Sequence, residues 1–211
     1  MNRISYSRLS MWMKCAFQMH GKYNLGIRGS QSPAAARGSA VHTNFENAVQ
    51  LQLPLPEEFA FYDEYIKKLV GSQCELKLAV DRNWQPMEAD AADAWLCGII
   101  DLWNVQGTRA TLLDWKTGKE YPDHVQQKEF YTALAADFHP EVEVFDTINV
   151  YVDLKKISSH KFTREEVSNL RERWGRRAEL MEKDTEYAPS PGPYCRWCDV
   201  SQRRGGPCTK G

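Results

Sequence analysis

Two β-prone stretches, residues 95–105 and 109–116, flank Gln106-Gly107, and this arrangement restricts the chain more than any other feature. Gly107 suits a two-residue turn, so the stretches are expected to pair as an antiparallel hairpin. With Gln106-Gly107 as the turn, residue 105 faces residue 108 and Asp101 faces Leu112. Side chains alternate along a strand, which puts Leu112, Asp114 and Lys116 on one face and Trp115 on the other. Asp101 then becomes the diagonal neighbour of Asp114, roughly 7–8 Å away. Two carboxylates so placed are expensive to bury unless a cation lies between them, and Mg²⁺ or Mn²⁺ prefers such oxygen ligands. A plainer alternative stands beside this: Asp114 and Lys116 as a surface ion pair on a half-exposed strand.

The elements around the hairpin read as a mixed α/β domain. Leu9, Trp12, Met13, Phe17 and Met19 recur at helical spacing from Ser7 to about Tyr23, with Ser7 as cap. Further helices are expected at 34–51, at 57–70 and from Pro122-Asp123 to Phe138, where His139-Pro140 ends the run. Strands are expected at 73–80 and 142–151, with 158–162 as a hairpin partner, giving a mostly antiparallel sheet with one crossing helix. Thr163 and Glu166 have the spacing of a capping box for a last helix, which buries Val167, Leu170, Trp174, Ala178 and Met181. From Ala188 onward Pro and Gly dominate, and no regular structure is expected. At 211 residues the chain reads as one domain, with 34–187 as its core and 1–33 and 188–211 as a cysteine-bearing subregion.

Charge is segregated along the chain. Residues 1–37 hold six Lys/Arg and no acid, a net of +6; residues 38–154 hold eight basic and twenty acidic residues, a net of −12. Residues 155–211 hold thirteen basic and eight acidic residues, a net of +5. An acidic middle between basic ends suits a carboxylate-lined metal site framed by surfaces for a phosphate backbone. The arginines 171, 173, 176 and 177 of the last helix are expected to face that backbone, as is the N-terminal segment. No apolar run is long enough for a membrane span and no signal-peptide core precedes residue 20, so a cytoplasmic protein is expected. Its six cysteines then read as thiols or metal ligands rather than disulfides.

Two further places could serve the Asp–Lys cluster. His42, in Gly38-Ser39-Ala40-Val41-His42, falls early in a helix, where a ring nitrogen could ligate a metal or simply bond within the helix. Gln127 and Tyr131 stand one helical turn apart and could reach Lys116 or a phosphate, although Tyr131 could equally belong to the core. In order along the chain, the early Ser-rich helix with a cysteine, G-x-x-x-H, G-x-x-D, D-x-K and Q-x-x-x-Y resemble the RecB-type exonucleases of the PD-(D/E)XK superfamily. The resemblance implies a restriction-endonuclease-like core, a central mixed sheet flanked by helices. It implies Mg²⁺ or Mn²⁺ held by His42, Asp101, Asp114 and the main-chain carbonyl of Trp115. It further implies Lys116 as the catalytic lysine supported by Gln127 and Tyr131, and DNA, as single strands or duplex ends, as the partner. Relatives of this type act in recombination, repair, CRISPR adaptation and phage DNA processing, so recombination or replication proteins are the implied assembly partners. Glu75 lies where some members carry another acid; it also fits an exposed strand position and is left out of the site.

Cys195, Cys198 and Cys208 form C-x2-C-x9-C in a tail with little core of its own. Four-thiolate centres need one more ligand. Resemblance to iron–sulfur members of the same family, CRISPR-associated and phage-like, pairs these three with Cys15 around a [4Fe–4S] cluster joining the chain's two ends. A structural zinc would satisfy the same four thiolates. Cys74 and Cys97 fall in expected strands and read as small buried hydrophobes.

Overall fold

The computed structural model describes residues 3–30 and 32–210. Its strands are β1 (Ile4–Ser5), β2 (Gln73–Val80), β3 (Pro86–Met87), β4 (Leu96–Gln106), β5 (Arg109–Lys116), β6 (Val144–Tyr151) and β7 (Lys156–Thr163). They form one sheet in the order β3-β2-β4-β5-β6-β7, with β1 paired to β4. The β5–β6 and β1–β4 pairs are parallel and the others antiparallel, so the sheet is mixed. The parallel β5–β6 step needs a crossover, and the helix between them, α5 (Asp123–Ala135), provides it. The sheet is mostly antiparallel with one crossing helix, as expected, and the two-residue strands β1 and β3 are too short to leave a periodic signal.

Helices cover both faces. On one face lie α1 (Tyr6–Lys14), α2 (Ala16–Tyr23), α5 and α6 (Val167–Lys183), which bury Leu9, Met19, Phe130, Leu134 and Trp174 against Ile100, Trp103, Leu112 and Phe145. On the other lie α3 (Pro33–Gln50), a 3₁₀ stretch over Glu57–Tyr62 and α4 (Asp63–Lys67). There Val41, Phe45, Phe59 and Tyr62 close over Leu102, Leu113, Trp115 and Val150. The Phe45 and Trp115 rings sit 4.4 Å apart, a contact of the kind that adds about 0.5–1.5 kcal/mol beyond area burial. The helix expected over 57–70 is therefore shorter and tighter than its apolar pattern suggested.

The first expected helix is broken at Cys15, whose extended backbone (φ −162°, ψ 105°) ends α1 and starts α2. The α1 cap is Ser5 rather than Ser7, with its hydroxyl accepting from Arg8 N–H. The Thr163/Glu166 capping box forms as expected and leads through one 3₁₀ turn into α6. The tail has two 3₁₀ turns, Pro193–Trp197 and Gln202–Arg204, and an isolated bridge between Ser201 and Cys208.

The hairpin forms with a different turn. Gln106 pairs with Arg109 and Leu102 with Leu113, so the loop is Gly107-Thr108, with Gly107 at φ +59°. A left-handed residue is needed at the first loop position, and Gly takes it without steric penalty. The shift is two residues, which preserves every side chain's face and brings Asp101 directly opposite Asp114, one step beyond the last ladder pair.

Candidate active site

The sheet opens where the acids stand. β4 runs on past Leu102 toward its start, but the ladder with β5 ends at Leu102–Leu113, and β1 takes the vacated side only at Leu96 and Cys97. In the gap, the Asp101 carboxylate accepts the Trp115 N–H at 2.8 Å in place of a ladder bond. A residue's N–H and C=O point to the same side of an extended strand, so the Trp115 carbonyl faces this gap as well. Its ring, on the opposite face, is buried against Phe45.

Asp101 is also where the faces of the sheet exchange. Before it, Leu96 and Ile100 pack toward α5; after it, Leu102 packs toward α3 and Trp103 toward α5. On the neighbouring strand Leu76 and Leu78 pack toward α5 but Cys74 toward α3. The residue between, Glu75, has φ +50°, a left-handed conformation unusual for a side-chain-bearing residue, and the β2–β4 ladder skips the Glu75–Asp101 pair. This local twist aims both carboxylates at the same space.

His42 enters that space from α3, which Ser32 caps and Pro33 begins. Its Nδ1 lies 3.2 Å from Asp101 Oδ2. One ligand atom each from His42, Glu75 and Asp101 falls within 4.8 Å of the others, the grouping expected of a small cation's ligands. Glu75, omitted from the sequence-based site, therefore belongs beside it. The signal lay in its spacing from the end of β2, but only the β2–β4 register puts it opposite Asp101.

Electrostatics point the same way. Burial, then the nearby Asp114 charge, pushes the Asp101 carboxyl up despite bonds from His42 and Trp115 N–H. Burial, then Asp101 and Glu46, raises Glu75. Burial opposes charge on His42, but its bond to Asp101 and the fields of Asp101 and Asp114 outweigh that and raise it. Acids pressed toward neutrality and an imidazole pressed toward its cation indicate surplus negative charge that a divalent ion would offset. The donor set thus fits a hard metal.

Asp114 stands outside that trio, paired with the Lys116 ammonium. Lys116 also donates to Gln127 Oε1 at 2.7 Å, and Gln127 Nε2 donates to Tyr131 OH at 3.1 Å. The Q-x-x-x-Y pair on α5 thus holds the lysine through a chain of bonds, and Tyr131 packs on the main core as well. Gly98 makes the approach possible: a Cβ there would lie 2.9 Å from Tyr131 Cε1. His42, Glu75, Asp101, Asp114, Lys116, Gln127 and Tyr131 all line one cavity of about 660 Å³.

Cys15, Cys195, Cys198 and Cys208 line a second, small cavity, so the chain's ends do meet there. Ser190 N–H points at Cys15 Sγ (3.4 Å) and Gly192 N–H at Cys195 Sγ (3.3 Å), contacts that favour thiolates. Cys208 is returned by two bonds across the tail, Cys208 N–H to Val200 C=O and Gln202 N–H to Cys208 C=O, each 2.9 Å. Gly206 permits that fold-back, because a Cβ would meet the Val200 carbonyl oxygen at 2.3 Å. The four residues could hold a thiolate-bound metal. Cys74 and Cys97 are partly buried and do not line this cavity.

Three of the four α6 arginines expected to face a backbone are engaged within the fold, while Arg176 is exposed. Arg171 is bound to Asp137 and the Ala133 carbonyl, Arg173 to Glu129, and Arg177 lies over the Trp174 ring. The Arg171 and Arg173 guanidinium groups fasten α6 to α5 and its extension. No helix among the described residues is long and apolar enough to cross a membrane.

Comparison with known proteins agrees with the geometry. The sequence pattern of the PD-(D/E)XK nuclease superfamily matches residues 3–203. No curated protein matches the chain in sequence. Among solved structures, the crystal structure of SSO0001 is similar over 100% of this chain and 87% of its own, at 15% identity and a TM-score of 0.56. A candidate exonuclease from Eubacterium rectale is similar over 92% of this chain and 87% of its own, at 16% identity and a TM-score of 0.58. With the family pattern spanning nearly all of the chain and the forked sheet beneath it, the protein belongs to the PD-(D/E)XK nuclease superfamily.

Proposed function

We propose that this nuclease is a Mg²⁺- or Mn²⁺-dependent DNA exonuclease of the RecB type, with a [4Fe–4S] cluster fastening its chain ends. The observation that carries the proposal is the convergence of His42, Glu75 and Asp101 within 4.8 Å, beside the Asp114–Lys116 pair. His42, Glu75, Asp101, Asp114 and the Trp115 carbonyl would hold the metal, which supplies Lewis-acid stabilisation of charge developing on the phosphate. An ammonium has three donors; on Lys116 one is bonded to Gln127 Oε1, while the Asp114 carboxylate pairs with the same group as an ion. A remaining donor would orient the attacking water or a non-bridging phosphate oxygen. Gln127 and Tyr131 fix the direction of that donor, and water is excluded from behind by the apolar packing around Trp115 and Phe130.

Four cysteines around one cavity support the cluster. A tetrahedral zinc with bonds near 2.3 Å draws its thiolates to about 3.8 Å from one another. A cubane binds each of the four thiolates through a different iron and holds them farther apart. The similarity of fold to a candidate exonuclease favours action at ends, and the resemblance to RecB-type exonucleases suggests a role in recombination, repair or phage DNA processing.

The test uses anaerobically purified protein, Mn²⁺, and end-labelled linear against closed-circular DNA. Wild type is expected to degrade the linear form alone, and Asp114→Ala to degrade neither. Equal activity in both proteins rejects the site; cutting of the closed circle rejects the exonuclease. A brown colour with broad absorbance near ~400 nm, lost in Cys195→Ser, identifies iron–sulfur; a colourless protein containing zinc rejects it.

A further inference from the structure

The cavity between the four cysteines has a hydroxyl in its wall that the fold itself does not use. Ser201 lines this cavity and is 1% exposed, and its Oγ is buried without a hydrogen-bond partner among the described residues. Ser201 stands just before the 3₁₀ turn Gln202–Arg204, where a serine hydroxyl commonly caps a main-chain N–H, yet it makes no such bond. Arg204 N–H goes to the Ser201 carbonyl instead, at 3.0 Å, and Gly206 N–H joins it at 2.9 Å. The main chain of Ser201 is tied to two of the cysteines: its N–H donates to the Cys198 carbonyl, and it forms the isolated bridge with Cys208.

We propose that the Ser201 hydroxyl is a hydrogen-bond donor to a sulfur of the cluster held by the four cysteines, and that it raises the reduction potential of that cluster. The inference rests on the [4Fe–4S] reading above and adds a fifth residue to that site. An unpaired hydroxyl in so buried a place is costly, so the fold would be expected to supply it with an acceptor. Phe17, Pro189, Pro191 and Val200 form much of the remaining lining and offer no side-chain acceptor, whereas a metal-bound sulfur carries negative charge.

The neighbouring sulfurs follow the same pattern. Ser190 N–H is turned to Cys15 Sγ and Gly192 N–H to Cys195 Sγ. Burial raises the Cys198 thiol, Val200 and Ser201 N–H oppose that rise, and Cys15 and Cys195 add to it, so three of the four sulfurs lie close enough to act on one another. Each donor favours negative charge on sulfur. One-electron reduction adds such charge without changing the atoms of the cluster, so a bond from Ser201 strengthens on reduction and the potential rises.

The test is a reductive titration of the full chain, purified anaerobically, with dithionite as electron donor and mediators of known potential. It follows the absorbance near ~400 nm in wild type, Ser201→Ala and Ser201→Thr. At a fixed potential Ser201→Ala should show an about tenfold lower ratio of reduced to oxidised cluster, a downward shift of ~59 mV for one electron. Ser201→Thr keeps the hydroxyl and should titrate with wild type. A change of less than about twofold in Ser201→Ala overturns the proposal, as does an upward shift. So does a shift in Ser201→Thr as large as in alanine. If the alanine variant does not fold, Ser201→Gly, which also lacks the hydroxyl, replaces it under the same criteria. If the wild-type cluster resists dithionite, removal of its iron by a chelator is timed instead, with an about tenfold faster loss expected in Ser201→Ala and the same criteria applied. A brown wild type that is indifferent to loss of the hydroxyl refutes this inference alone, whereas a colourless one refutes the cluster reading and this inference with it.

Discussion

Adding one methyl group at Gly98 should disturb both stability and the lysine, chiefly through its contact with Tyr131. A Cβ at this position would lie 2.9 Å from Tyr131 Cε1 and 3.0 Å from Leu134 Cδ1. Leu134 is fully buried, so it has little room to give, and the strain falls on the Tyr131 ring. Overpacking of this size costs about 1–3 kcal/mol. For a domain of this length each kcal/mol lowers Tm by about 2–4 °C, so a mid-range penalty of about 2 kcal/mol predicts a fall of about 4–8 °C. A displaced ring also draws its hydroxyl from Gln127, which then holds Lys116 less firmly; kcat should fall while KM for DNA changes little. The assay is urea and thermal unfolding of Gly98→Ala in two backgrounds, wild type and Tyr131→Leu, beside single-turnover cleavage. Because the clash is with ring carbons, Tyr131→Phe should not relieve it and Tyr131→Leu should remove most of it. A penalty below about 0.5 kcal/mol in the wild-type background, or an undiminished one in the Tyr131→Leu background, would refute the reasoning.

Three other outcomes follow from the same structure. Mn²⁺ should raise the Tm of the wild type by linkage, and Glu75→Ala or Asp101→Asn should abolish most of that rise; an unchanged shift in Glu75→Ala would remove this residue from the metal site. Thr163→Ala should lower stability by about 1 kcal/mol in urea unfolding while leaving the cleavage rate of folded protein as it was, since the capping box serves only the 3₁₀ turn that leads into α6. Lys128, whose burial lowers its pKa to about 8, is less easily protonated in the folded chain than in the unfolded one. Between about pH 8 and pH 10 the unfolded chain binds the extra proton, so the stability of wild type relative to Lys128→Met should rise with pH across that window; a fall would show that burial does not govern this lysine.

The sequence carried the parts of this protein that depend on short-range periodicity. β5 occupies Arg109–Lys116, the span anticipated, because alternation there is regular and its one buried aromatic, Trp115, faces away from Asp114 and Lys116. The Gln127–Tyr131 pair was equally legible, since a helix fixes the relation between residues one turn apart. The ordered motifs named the superfamily that the pattern match over residues 3–203 shows. Pairing between elements was less accessible. The hairpin slipped by two residues because turn chemistry around Gln106, Gly107 and Thr108 allows more than one loop, and strand parity alone cannot choose between them. Glu75 joined His42 and Asp101 only through a left-handed residue and an exchange of faces at Asp101, where simple alternation fails. Likewise, the distance in sequence from Cys15 to Cys195 says nothing of their shared cavity, which arises because α1, α2 and the tail pack at the same end of the sheet. What a strand or helix imposes on its own residues was written locally; which carboxylates share a charge, and which thiols share a space, was decided by the sheet's opening and the return of the chain's ends.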